Sequence, residues 1–394
     1  RPFTTSSVTG VPSRRSLSAI AWVPRLPSSC IRSELVTLSR ERRSPEVARL
    51  SRRELTPEEA VRRFIAKRRN ADSDKTVRSY DSRLRQWVRW SHDRDDLQTM
   101  RDIDGWIIDE YQRFLEERGD APSTVKGKMV ALNQLAKYCV QLEVVDDDLP
   151  DRIEIPRLSK DEQTDDTTLE ADDARRLIEF YRESTSEYGT VQHVLLEVIW
   201  HIGCRTGCLR ALDLQDWYPE EQKLTFRHRP PTRLKDGTEH ERNVAIPDPI
   251  AEALNFYVAR ERADKRDENG REPLFSTRFG RPAESTIQTW AYQATQPCVA
   301  IACPHNRERS KCEYTEKSHA SKCPSSRSPH AIRTGSITWQ LNRGLSYVRV
   351  AQRVAASPET IRRYYDKADL DDELERRRHV TEKLDIMTNS EDDQ

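Results

Sequence analysis

No stretch of this 394-residue chain approaches the ~18 consecutive apolar residues that a membrane-spanning helix needs, so the sequence reads as soluble and globular. Membrane transport is excluded on that ground. Net charge is lacking as well, because 66 basic residues balance 66 acidic ones. A nucleic-acid partner therefore has to be argued from local patches rather than from overall charge. No secretory hydrophobic segment precedes the eight cysteines, so a reducing cytoplasm is the expected compartment and a disulfide scaffold is not expected. Lysine is scarce, 14 against 52 arginines, an excess that points to a GC-rich genome.

The zero balance hides two different materials. Residues 1–53 carry 11 arginines and 3 glutamates, a surplus of +8 that the other 341 residues offset. That segment is rich in Ser, Pro and Arg and has no helical or strand period, so it is expected to be a disordered basic tail or a start-site artefact.

From 54 to 147 the pattern is helical. Thr56-Pro57-Glu58-Glu59 combines an N-cap residue, proline at the first helical position and acids in the first turn. It opens a helix with Val61, Phe64 and Ile65 on one face. Val77, Tyr80, Leu84, Trp87 and Val88 repeat at spacings of three and four. Ile107, Ile108, Tyr111, Phe114 and Leu115 form a third stripe, and a fourth runs from the cap Ser123 through Val125, Met129, Leu132, Leu135 and Cys139. Four helices predict a small independent domain.

Residues 148–168 are polar, contain proline and read as a linker. The second domain is expected at 169–380, mostly helical with a small sheet, followed by a polar tail, 381–394. Within it, 190–212 reads as one long apolar helix. Leu224-Thr225-Phe226 and Asn243-Val244-Ala245-Ile246 read as strands flanking a hairpin loop at Lys235-Asp236-Gly237.

Three places in this domain carry chemistry. Arg205 follows a segment that is apolar up to His201. Pro329-His330-Ala331-Ile332-Arg333 places an imidazole and a guanidinium three residues apart, on one helix face. Arg362-Arg363-Tyr364-Tyr365-Asp366 sets two phenols beside two cations. Two arginine forks, a histidine and a tyrosine suit a phosphodiester. The planar guanidinium matches phosphate oxygens, and charge building on five-coordinate phosphorus needs donors already in place. A phenol, with a pKa of ~10, becomes a useful nucleophile once cations or a base help it ionise.

In this order and spacing the sequence resembles the tyrosine recombinase (phage integrase) family over roughly residues 55–380. Gly203-Cys204-Arg205-Thr206-Gly207-Cys208-Leu209-Arg210 is similar to the family's first-arginine motif, Lys235 sits where a hairpin lysine is expected, and His330 and Arg333 match its His-x-x-Arg box. Ungapped alignment past Arg333 puts Tyr365 at the nucleophile, with Tyr364 as the alternative. It puts Ala356 where the family has a third histidine or a tryptophan, and Cys208 where it has an acid. The Tyr365-Asp366-Lys367 ending resembles the archaeal branch of site-specific integrases.

The resemblance implies a mainly α fold with a small β-sheet: an N-terminal four-helix core-binding (SAM-like) domain and a C-terminal catalytic domain, closing on DNA as a clamp. It implies site-specific recombination through a 3′-phosphotyrosine intermediate, carried out by a homotetramer on double-stranded DNA with no catalytic cofactor. Arg205 and Arg333 would clamp the phosphate, Lys235 would protonate the leaving oxygen and His330 would move protons. A catalytically weak DNA-binding relative and a type IB topoisomerase-like nicking-closing enzyme are the alternatives.

Two further expectations concern partners. Cys298, Cys303, Cys312 and Cys323 fall within 26 residues, with His305 and His319 among them, and could supply four soft ligands to a structural zinc. Arg62, Arg63, Lys67, Arg68 and Arg69, together with Lys126 and Lys128, form basic stripes that could contact DNA phosphates.

Overall fold

The computed structural model describes residues 55–159 and 167–381. The basic tail expected at 1–53, and all but the first residue of the polar tail at 381–394, lie outside the described residues. The chain divides into two compact units: among the described residues the first comprises 55–118 and 127–154, and the second 119–126 and 155–381.

The first unit is built on α1 (Pro57–Arg69), α2 (Asp74–His92), α3 (Gly105–Glu117) and, from Gly127 on, α4 (Pro122–Gln141). Each of the first three starts on a side-chain cap. Thr56, Ser73 and Asp104 accept from the backbone N–H three residues on, which satisfies donors that a helix start leaves open. The core is aromatic and aliphatic: Trp87 meets Tyr111 edge-on at 5.0 Å, and Leu84, Leu115, Met129 and Leu132 are buried around them. The fourth helix starts at Pro122, so Ser123 lies in its first turn instead of capping it. The expected linker also begins later than its composition suggests. Leu149–Arg152 is a short helix, α5, whose Leu149 and Pro150 are buried and whose Pro150 carbonyl accepts a 2.6 Å bond from Asn133 Nδ2.

The second unit packs α6 (Ala171–Glu183), α7 (Val191–Ile202), α8 (Thr206–Ala211), α9 (Asp248–Phe256), α10 (Glu284–Ala294) and α11 (Pro329–Asn342) around one apolar core. A three-stranded antiparallel sheet, β1 (Trp217–Tyr218), β2 (Lys223–Phe226) and β3 (Arg242–Ala245), lies in sequence order, with Leu224 opposite Val244 and Phe226 opposite Arg242. Strand β1 was not legible in the sequence, being two residues long. The helices α12 (Tyr347–Val354), α13 (Pro358–Tyr364) and α14 (Leu370–Thr381) complete the described chain. Ile337, Leu341, Val350, Val354, Ile361 and Tyr365 form a smaller satellite core. Among the described residues no helix is long and apolar enough to cross a membrane.

The single helix expected over 190–212 is two helices. Gly203 takes φ +68, a left-handed conformation that ends α7, and the chain runs extended through Arg205 before α8 begins. Arg205 therefore caps the start of α8 instead of ending a long helix. The carbonyls freed at the end of α7 are taken by side chains from α11 and α12. Ser336 Oγ donates to Trp200 O, Arg353 Nη2 to His201 O (3.0 Å) and Arg333 Nη1 to Gly203 O (2.5 Å).

Candidate active site

Arg333 is the hub of the grouping. It projects from α11 into the interior, 1% exposed, and its Nη1 bonds both Gly203 O and Val354 O (2.9 Å), tying the end of α7 to the end of α12. Its Nε and Nη2 are buried and carry no protein hydrogen bond. The Tyr365 ring lies over this guanidinium at 4.8 Å, and the His330 ring, one turn earlier on α11, stands 5.4 Å from the same phenol ring. Burial pushes the Arg333 pKa below its ordinary value, Tyr365 works against that shift, and Arg205 adds to it. A cation so placed is short of negative charge.

Arg205 approaches the same place from the α7–α8 junction. Its Nη1 donates to Ala355 O, one residue beyond the carbonyl that Arg333 holds. Ala355 is at φ +53, and this left-handed residue ends α12. The structure thus brings Arg205, His330, Arg333 and Tyr365 together. It separates the two adjacent tyrosines: Tyr365 is 7% exposed within the group, whereas Tyr364 is 39% exposed and lies beneath Arg363. The backbone of Tyr365 is pinned by Thr338, whose hydroxyl donates to Tyr365 O at 2.9 Å. Asp366, next in sequence, takes both guanidinium nitrogens of Arg376 and the Tyr347 hydroxyl. Burial opposes its charge, but those partners outweigh burial and hold its carboxyl below the ordinary range.

Lys235 is exposed on the loop between β2 and β3, where Asp236 (φ 64) and Gly237 (φ 73) turn the chain. No hydrogen bond, ion pair or ring contact joins it to the other four. Ala356 is half-buried against the satellite core and offers no polar side chain, and Cys208 is buried on α8. Two residues escaped the sequence reading, Arg242 and Arg353. Arg242 Nε donates to Arg353 O at 2.7 Å, and Arg353 also bonds Gln340 and His201.

The cysteine cluster does not gather. Among the described residues no three His, Cys, Asp or Glu side chains are grouped to hold a metal ion. Cys298 Sγ accepts from Arg309 at 3.4 Å, His305 bonds Ser325, and His319 faces Glu316. The structure therefore gives no support to a zinc site at these cysteines.

The basic stripes of α1 and α4 are only partly open. Arg62, Arg63, Lys67 and Arg69 are exposed on α1, and Lys126 is half-exposed on α4. Arg68 is instead spent internally, paired with Asp72, bonded to Gln134 and stacked between Phe64 and Tyr80. Lys128 is 9% exposed and sits in the helical core, which corrects its expected place on the outer face. Lys67 bonds Gln141 over the Tyr138 ring.

No family model matches the chain. A curated relative, the tyrosine recombinase XerD of Halalkalibacterium halodurans, is 21% identical over 210 residues, which span 53% of this chain and 66%, just under two thirds, of that protein. Among solved structures, the Tn1549 transposon integrase in complex with a circular intermediate DNA is 14% identical with a TM-score of 0.58, covering 84% of this chain and 99% of that one. A lambda integrase tetramer bound to a Holliday junction is 14% identical with a TM-score of 0.56, covering 84% and 83%. The fold is therefore that of the DNA-bound integrases. In sequence the chain is similar to the tyrosine recombinase XerD, and in fold to these integrases.

Proposed function

We propose that this protein is a site-specific DNA recombinase that cleaves and rejoins strands through Tyr365. The observation that carries the reading is the placement of the Tyr365 phenol on the Arg333 guanidinium, with the His330 ring against the same phenol. A buried arginine without a carboxylate, beside a phenol, suits a phosphodiester: the cation draws in the phosphate and supports the charge that builds on it.

In the proposed step the Tyr365 oxygen attacks phosphorus. One P–O bond forms to tyrosine, and the bond to the 5′ oxygen breaks. The phenol proton passes toward His330, and Lys235 supplies a proton to the departing 5′ oxygen. Arg205 and Arg333 hold the non-bridging oxygens. The phosphotyrosine is itself a phosphodiester, so a 5′ hydroxyl can reverse the step with little net change in bond energy. Arg62, Arg63, Lys67 and Arg69 on α1 and Lys126 on α4 are the proposed phosphate contacts. Assembly as a homotetramer on paired sites and membership of the archaeal branch belong to the same proposal.

The test is a denaturing gel of the protein with labelled, nicked duplexes drawn from the flanks of its gene. Wild type is expected to give an adduct that survives denaturation, Tyr364→Phe to retain it and Tyr365→Phe to lose it. DNA retardation on a native gel without any adduct would sink the proposal in favour of the binding-only reading that Ala356 and Cys208 invite. Relaxation of supercoils without site preference would favour a nicking-closing enzyme.

A further inference from the structure

A helix end leaves its last carbonyls without intrahelical partners. At the end of α12 three successive ones, those of Arg353, Val354 and Ala355, are each taken by an arginine from a different element: Arg242 on β3, Arg333 on α11 and Arg205 before α8. Two of these are the proposed phosphate ligands. The third, Arg242, is not among the proposed phosphate ligands.

Arg242 is held on its other sides as well. Its Nη1 donates to His240 O at 3.1 Å, and its guanidinium lies 4.1 Å from the ring of Phe226, its cross-strand neighbour. Its Nη2 is buried with no hydrogen-bond partner. Elsewhere in this unit Arg182, Arg229, Arg281 and Arg376 each pair with a carboxylate. Arg205, Arg242, Arg333 and Arg353 form no ion pair among the described residues. Burial and then Arg242 depress the Arg353 pKa, so the cations press on one another. Capping one carbonyl requires only a neutral amide, and a further unpaired guanidinium there is costly unless an anion completes the group.

We propose that Arg242 is a positioning residue for the phosphate-binding arginines. It fixes the end of α12, and that end fixes the Nη groups of Arg205 and Arg333. The inference rests on the reading of those two residues as phosphate ligands. Reactive groups must be held within ~0.5 Å of their working geometry, and a ~1 Å displacement can cost ~100-fold in rate.

The experiment is single-turnover adduct formation by the full chain on a nicked duplex that wild type cleaves. It compares Arg242→Met, Arg242→Lys and each of these combined with Arg205→Lys. Amplitude reports the competent fraction of protein, and the rate reports positioning. Arg242→Met is expected to lower the rate ~10–100-fold at full amplitude and unchanged DNA retardation, with Arg242→Lys recovering part of it. In the Arg205→Lys background the same change is expected to cost less than ~3-fold, because two residues acting through one geometry are not additive. A wild-type rate in Arg242→Met overturns the inference and leaves the recombinase reading standing. So does a loss of amplitude alone, or an undiminished penalty in the Arg205→Lys background. If Arg242→Met does not fold, Arg242→Lys carries the comparison. Absence of any wild-type adduct overturns the recombinase reading and this inference with it.

Discussion

A glycine in the middle of a helix ordinarily costs ~1 kcal/mol relative to alanine, so Gly335→Ala on α11 would be expected from helix propensity alone to stabilise the protein. The structure reverses the sign. A Cβ at Gly335 would lie 1.9 Å from the Leu169 carbonyl oxygen and 2.9 Å from Thr168 Oγ1. Ordinary contact begins near 3.4 Å, so one backbone must retreat by about 1.5 Å, the difference between those two distances. The segment that must give is tethered: Leu169 N donates to Ala331 O at 3.3 Å, and Arg327 Nε donates to Thr168 O at 2.9 Å. Overpacking costs ~1–3 kcal/mol, and losing two such bonds adds ~0.5–1.5 kcal/mol each. The expected destabilisation is therefore about 2–6 kcal/mol, or a fall in melting temperature of roughly 10 °C for a unit of this size. Because α11 carries His330 and Arg333, adduct formation should decline at temperatures where wild type is intact. Thermal melting by circular dichroism reads the first effect directly. A Gly335→Ala melting temperature equal to or above wild type would refute the close approach on which this reasoning depends.

Other consequences are as specific. Asp213 is 2% exposed and receives Arg229 and Arg281 together; Asp213→Ala leaves Arg229 on Asp216 alone and Arg281 on Asp267 alone, and should cost ~1.5–3 kcal/mol in urea unfolding. A midpoint within error of wild type would contradict that. Ala355 adopts φ +53, where L-residues lose ~1–2 kcal/mol, so Ala355→Gly should be close to neutral, whereas Ala355→Val should cost ~2 kcal/mol or more and slow adduct formation. Comparable stabilities for the two variants would argue against the left-handed turn. Burial, reinforced by Arg353, pushes the His201 imidazole down to about 4 from its ordinary 6.5. The folded state thus binds fewer protons than the unfolded chain between these values, and its contribution is complete above pH 6.5 and lost as pH falls toward 4. Denaturant titrations at successive pH values should show wild type losing stability over that window faster than His201→Gln; parallel profiles would dismiss the effect.

The parts of the fold that were legible in the sequence are those written in side-chain periodicity. The helices of the first unit, the β2–β3 hairpin and the His330–Arg333 turn follow from spacings of three, four and two. The break at Gly203 was not legible, because a glycine inside an apolar run reads equally as a tolerated helix residue, and what selects the left-handed turn is Arg333 reaching Gly203 O from 130 positions away. The same reason hid Arg242 and Arg353. Both are bound to backbone carbonyls, which every residue carries, so no partner residue type betrays them, whereas a buried arginine that pairs with an acid leaves a second charged residue to be noticed. Lys128 and Arg68 went wrong in the opposite direction: a run of cations on a helix looks like one exposed stripe, yet the 100° step per residue turns some of them inward, where Arg68 found Asp72 and two aromatic rings. The cysteines show the limit of spacing: four thiols within 26 residues fix proximity along the chain and not convergence in space, and among the described residues they form no metal-holding group. A site built from charged side chains and backbone carbonyls is therefore half visible from sequence. Its side chains can be named, but the carbonyls that orient them become evident only once the helix ends are in place.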